Sequence, residues 1–234
     1  MPLLCRRRLF VPFATLALFA MTLAAPDVSA KRKRSKKRAG TRTNKILVLG
    51  SSSVNGSLGK RIEKQLAKKG FSVVRRGKSS AGLARPDYYD WMAQVPALPI
   101  DSSTRGAVVY LGTNDGQAIN LRSSERKRYK LRGKWLRWGH KDWHRVYEAR
   151  VTNFAKALCT AGVWRVAFMT PVDTKDPALL KRLRQIRRLQ YRGARRSKCA
   201  WAYSGRGDFR KIRRENANLP SGKRLRYKDG FHMT

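Results

Sequence analysis

Apolar positions along the chain fall into two alternating textures: short unbroken runs, and stripes spaced three or four residues apart. Lys45 to Gly50 is an unbroken run, as expected of a strand buried on both faces of a parallel sheet. Leu58, Ile62 and Leu66 then lie four apart on one helical face, which Gly70 ends. Phe71 to Val74 reads as a second strand, and Ala107 to Leu111 as a third ending at Gly112. Tyr147, Val151, Phe154 and Leu158 share a helical face stopped by Gly162. Trp164 to Met169 makes a fourth strand, broken by Pro171. Leu179, Leu183, Ile186 and Leu189 stripe another helix, and Cys199 to Tyr203 makes a short fifth strand. Strands alternating with helices imply right-handed crossovers and a parallel sheet covered by helices. The stripes are read as core. Ligands in such folds bind outside the carboxyl ends of the strands.

Residues 116–141 interrupt this rhythm with a long insertion carrying many basic groups together with Trp135, Trp138 and His140. Loops of that length are commonly functional. Interleaved aromatics and cations suit a sugar ring and its anionic substituents. The other reading is a small hairpin that packs its tryptophans onto the domain. His140 and His144 are read as surface or loop residues.

A chain of 234 residues, 41% hydrophobic, allows one α/β domain plus tails. Residues 1–30 read as an export signal: Arg6-Arg7-Arg8, an apolar stretch from Leu9 to Ala25, and small residues at Val28-Ser29-Ala30. The alternative is an uncleaved anchor, for which the apolar run, with Pro12 inside it, is short. Export places the protein in the periplasm or outside the cell.

Charge sharpens the choice of partner. There are 54 basic and 14 acidic residues, a net charge of +40. Loss of residues 1–30 removes three Arg and Asp27, leaving 51 against 13, or +38. Residues 31–44 read as a basic disordered linker ahead of a domain spanning 45–234. Such a chain attracts polyanions, less so as salt rises. Behind an export signal the partner is an anionic envelope glycan or phospholipid headgroup rather than nucleic acid, and contact with membrane would come only through an uncleaved signal. A host-wide preference for arginine is the competing explanation. Cys159 and Cys199 could pair in an oxidising compartment or could be separate buried thiols.

Four blocks carry candidate chemistry. The first strand runs into Gly50-Ser51-Ser52-Ser53. Gly82 sits in the segment Gly82-Leu83-Ala84-Arg85-Pro86-Asp87. The third strand ends in Gly112-Thr113-Asn114-Asp115, and Asp229-Gly230-Phe231-His232 stands near the C-terminus. In this order the blocks resemble the SGNH (GDSL-type) hydrolase superfamily, over about residues 44–234. The Gly-Leu-Ala-Arg-Pro-Asp segment is similar to one bacterial subfamily of it. The expected fold is thus a three-layer α/β/α sandwich with a parallel, flavodoxin-like five-stranded sheet.

The resemblance implies Ser52 as nucleophile, His232 as its base and Asp229 as the residue that orients the imidazole. It implies an oxyanion hole made of the Ser52 and Gly82 backbone N–H groups and the Asn114 side-chain amide. No metal or other cofactor is implied. Asp115 is expected to be structural, and Arg85 and Asp87 to shape their loop. Two departures stand out: Ser51 replaces the family's first-block aspartate, and only two residues follow His232. The expected activity is hydrolysis or transfer of an O-acyl group, such as O-acetyl, on a cell-envelope glycan through an acyl-enzyme. The alternative is a catalytically decayed protein of the same fold that binds an anionic envelope polymer.

Overall fold

A computed structural model describes residues 44–174 and 176–204. The expected export signal (residues 1–30), the expected linker up to residue 43, and the Asp229 and His232 block lie outside the described residues. In chain order the elements are β1 (Lys45–Gly50), α1 (Ser52–Asn55), α2 (Ser57–Lys68), β2 (Ser72–Gly77), α3 (Trp91–Gln94), β3 (Thr104–Tyr110), β4 (Ile119–Asn120), α4 (Ser123–Tyr129), β5 (Trp135–Leu136), α5 (Trp143–Thr160), β6 (Arg165–Met169), α6 (Pro177–Arg195) and β7 (Ala200–Tyr203).

Five strands form one parallel sheet in the order β2-β1-β3-β6-β7. This is the flavodoxin-like order. The unbroken apolar run of β1 is explained by its central place: Leu47 and Leu49 face one layer, Val48 the other, and all three are fully buried. The Leu58, Ile62 and Leu66 stripe of α2 covers the Val48 side. The stripes of α5 and α6 cover the opposite side, with Tyr147, Phe154, Leu183 and Ile186 against Val109 and Phe168. Full burial of each such side chain is worth about 1.5–3 kcal/mol. Asp176 starts α6 by accepting from the N–H groups of Ala178 and Leu179 at 2.9 and 3.1 Å, with Pro177 in the first turn.

Three sequence expectations change in detail. Strand β2 runs on to Gly77 because Arg75 bends back to cap α1, donating to the Val54 and Asn55 carbonyls at 3.0 Å and pairing with Glu63. Strand β3 begins at Thr104, earlier than its apolar run. The 116–141 insertion is an antiparallel β4–β5 ribbon enclosing α4, pinned to the domain by the buried Ile119, Leu121 and Leu136. Trp138 packs edge-on to Trp143, centroids 4.3 Å apart, whereas Trp135 stays 45% exposed. The hairpin reading thus holds for Trp138, while Trp135 stays on the surface. His140 is exposed, and His144 lies half-buried in the first turn of α5. Cys159, near the end of α5, and Cys199, just ahead of β7, form a disulfide with Cα atoms 6.5 Å apart. Among the described residues no helix is long and apolar enough to cross a membrane.

Candidate active site

The carboxyl edge of the sheet gathers the described members of the predicted site. Past Gly50 the chain turns through Ser51, whose N–H donates to the Tyr110 carbonyl at the end of β3, while the Gly50 carbonyl accepts from Lys78 at the end of β2. The first-block serines therefore sit between the ends of two neighbouring strands. Their exposure separates them. Ser51 is fully buried, Ser53 nearly so, and Ser52 is partly open, at the first position of α1. Ser51 occupies the cap position but makes no side-chain cap bond, and its hydroxyl has no partner among the described residues. Of the three, Ser52 is the one that is not buried.

Strand β3 ends in a turn that requires glycine: Gly112 has φ +111°. Asn114 follows, half-buried, and its side-chain amide donates to the Ala81 carbonyl at 3.2 Å. That contact brings Asn114 against the Gly82 segment and uses one of the two N–H groups of the amide. Gly82 itself is buried, and the reason for glycine here is the Asp115 carboxyl: a Cβ at position 82 would overlap Asp115 Oδ1.

Asp115 is wholly buried and accepts from the Ala84 N–H and from the Tyr147 hydroxyl, each at 2.8 Å. Burial pushes its carboxyl above the usual carboxylate range, against the pull of those hydrogen bonds. The Tyr147 phenol is pushed well up by burial and by the neighbouring Asp115 charge, so the proton of this bond stays on Tyr147. Asp115 is thus a structural acceptor, as its sequence context predicts.

Further along the same segment, Arg85 and Asp87 form a two-pronged ion pair at 2.9 Å. The Arg85 hydrogen bonds hold the Asp87 carboxyl below its ordinary range. The Arg85 guanidinium also lies 4.8 Å over the Trp135 ring, joining this loop to the insertion. Lys78 stands 5.7 Å over the half-exposed Tyr88.

A family model described as "Protein of unknown function (DUF459)" matches residues 45–234, most of the chain. The chain belongs to the DUF459 family. No curated protein matches it significantly. Solved structures resemble this DUF459 protein in fold. LAE5, an α/β hydrolase enzyme from the metagenome of Lake Arreo, is 15% identical, with a TM-score of 0.54 over 82% of this chain and 88% of that one. A catalytic mutant of Axe2, an acetylxylan esterase from Geobacillus stearothermophilus, is 17% identical, with a TM-score of 0.50 over 82% and 87%. A protein from Lactobacillus plantarum is 12% identical, with a TM-score of 0.50 over 82% and 88%.

The DUF459 site has one member that sequence reasoning passed over. Arg150 points inward from α5 and binds the carbonyls of Leu83 and Ala84 at 2.7 and 3.0 Å. A signal was present: Arg150 stands three residues after Tyr147, on the striped face, where a cation must find buried partners. Asp229 and His232, the predicted orienter and base, lie outside the described residues.

Proposed function

We propose that this DUF459 protein is an exported serine esterase of the SGNH type, hydrolysing or transferring an O-acyl group on an anionic cell-envelope glycan. The observation that carries this reading is the separation of the three serines. The family's nucleophile position, Ser52, is open at the carboxyl edge of the sheet, while its hydroxyl rivals are enclosed. Gly82 and Asn114, the proposed oxyanion donors, lie in the loops that follow the adjoining strands β2 and β3, and the Asn114 amide joins the loops by donating to the Ala81 carbonyl.

In the reaction Ser52 Oγ attacks the ester carbonyl and passes its proton to His232, which Asp229 holds in the required tautomer. The carbonyl oxygen gathers negative charge opposite the Ser52 and Gly82 N–H groups and the Asn114 amide. Collapse expels the sugar alkoxide, which takes the proton from His232 and leaves an acyl-serine. Water, or a second sugar hydroxyl, then attacks the acyl group with His232 again accepting its proton, and Ser52 is regenerated.

Two features support the substrate class and compartment. Tyr88 and Trp135 are half-exposed aromatics beside the Gly82 segment, each with a cation over its ring. Stacked rings suit a sugar face, and Lys78 and Arg85 suit a carboxylate or phosphate on it. The acetylxylan esterase named above shares the fold. The Cys159–Cys199 disulfide suits an oxidising compartment, in keeping with residues 1–30 as a signal.

The test is turnover of p-nitrophenyl acetate and of an O-acetylated anionic glycan by protein lacking residues 1–30. Ser52→Ala and His232→Ala should each lower kcat by about a thousandfold or more, and Ser51→Ala should leave it intact. Turnover that survives in Ser52→Ala removes Ser52 as nucleophile. Absence of turnover on any acylated substrate, with binding of the glycan retained, leaves the decayed binding protein as the reading.

A further inference from the structure

Arg150 is almost fully buried, and every N–H it owns is engaged. Its Nη1 donates to the carbonyls of Leu83 and Ala84 at 2.7 and 3.0 Å. Its Nη2 donates to the Asn120 carbonyl and to Glu125 Oε2, both at 2.5 Å, and its Nε donates to Glu125 Oε1 at 2.7 Å. A guanidinium has five N–H groups in a rigid plane, and five bonds are made. The group therefore has one orientation, and its charge is paired with the Glu125 carboxylate.

What it grips is the loop that carries Gly82. Both backbone polar groups of Ala84 are held: its N–H by Asp115, and its carbonyl by both Arg150 and the Asn120 N–H at 3.0 Å. The Leu83 carbonyl is held by Arg150, and the Ala81 carbonyl by Asn114. The Ala81–Gly82 peptide, which carries the Gly82 N–H, is held through the Ala81 carbonyl by Asn114, and the peptides that follow Leu83 and Ala84 are held by Arg150, so the chain is fixed immediately before Gly82 and again one residue after it. Gly82 has no side chain to anchor it and, as glycine, the widest backbone freedom. Its placement must come from its neighbours.

We infer that Arg150 is a positioning residue for the oxyanion hole, holding the Gly82 donor in register with Ser52, and that Glu125 holds Arg150 in turn. This rests on the esterase reading above. A donor shifted by a fraction of an ångström loses much of its effect on the transition state while barely affecting binding of the ground-state ester. The signature is accordingly a fall in kcat with KM preserved.

Two variants test it in the protein lacking residues 1–30, beside wild type, on p-nitrophenyl acetate. Arg150→Lys keeps the charge but cannot reach all three carbonyls and the carboxylate at once. Glu125→Gln leaves Arg150 in place and loosens its carboxylate clamp, so it decides the matter should Arg150→Lys fail to fold by circular dichroism. The folded Arg150→Lys protein should lose about tenfold or more in kcat, and Glu125→Gln a smaller share, with KM held within about twofold. The acid limb of the kcat/KM profile, set by the base, should stay where it is in wild type. A folded Arg150→Lys protein with wild-type kcat, or one in which KM rises instead, overturns the inference while wild-type turnover leaves the esterase reading standing. If Arg150→Lys is unfolded, wild-type kcat in Glu125→Gln overturns it. A wild type inactive on this ester and on the O-acetylated glycan alike removes both readings together.

Discussion

Asp115 is the residue on which the site's shape converges. It takes the space that a side chain at Gly82 would fill, and it ties Ala84 on one side to Tyr147 on the other. Enclosure makes its charged form costly, so the folded protein binds a proton there more tightly than the unfolded chain does. The resulting contribution to stability is complete below the ordinary carboxylate pKa of about 3.9 and is lost as pH rises through the raised folded value. Asp115→Asn abolishes this titration. Its stability relative to wild type should therefore improve as pH is raised from 4 toward 8, as read from urea unfolding at each pH; a relative decline over that range contradicts the assignment. From the sequence Asp115 could be recognised as structural through its place after Asn114. The resemblance pointed to Ser52 among the three first-block serines; which of the hydroxyls the fold leaves open was not legible there, because adjacent serines differ only in the direction the backbone gives them. Arg150 was hidden for another reason: reading Tyr147 and Val151 as one apolar stripe leaves no role for the cation between them.

Among the elements, α5 and α6 pack closely against each other. Gly193 lets the helices meet with the Glu148 carbonyl 2.8 Å from where a Cβ would stand and Val151 Cβ equally near, and the Thr152 hydroxyl bridges the gap by donating to the Gly193 carbonyl at 3.0 Å. Neither obstacle is the tip of a flexible side chain, so Gly193→Ala must separate the helices. It should destabilise by about 1–3 kcal/mol in denaturant titration, and a neutral result would mean that the two helices can slide. These elements were legible because each stripe persists over several turns, and β1 because a strand covered on both faces is apolar throughout. Strands β4 and β5 have two residues apiece, too few to show alternation, and α4 is nearly all polar, so its seven residues left no stripe to read. In β2 the arginines hid the strand's second half, since Arg75 is held by carbonyls and Glu63 rather than by apolar neighbours.

For the molecule as a whole, the bond between Cys159 and Cys199 encloses β6 and α6 and fastens the start of β7 to the end of α5 across 40 positions. Closing a loop of that length in the unfolded chain stabilises the fold by about 4 kcal/mol on the chain-entropy account. Adding reductant should lower the melting temperature by a margin that Cys159→Ser with Cys199→Ser reproduces; identical melting with and without reductant would falsify a stabilising role for the bond. The sequence left this pairing open, because two cysteines 40 apart meet only if the fifth strand lies beside the fourth. The pairing also bears on how the protein matures. The chain has three cysteines, and Cys5 falls within the proposed export signal. On that proposal, loss of the segment would leave two thiols with a single way to join within one molecule. A chain exported in that way would need an oxidant after translocation but no isomerase to correct its bonds, and its yield outside the cytosol would follow the supply of oxidase alone.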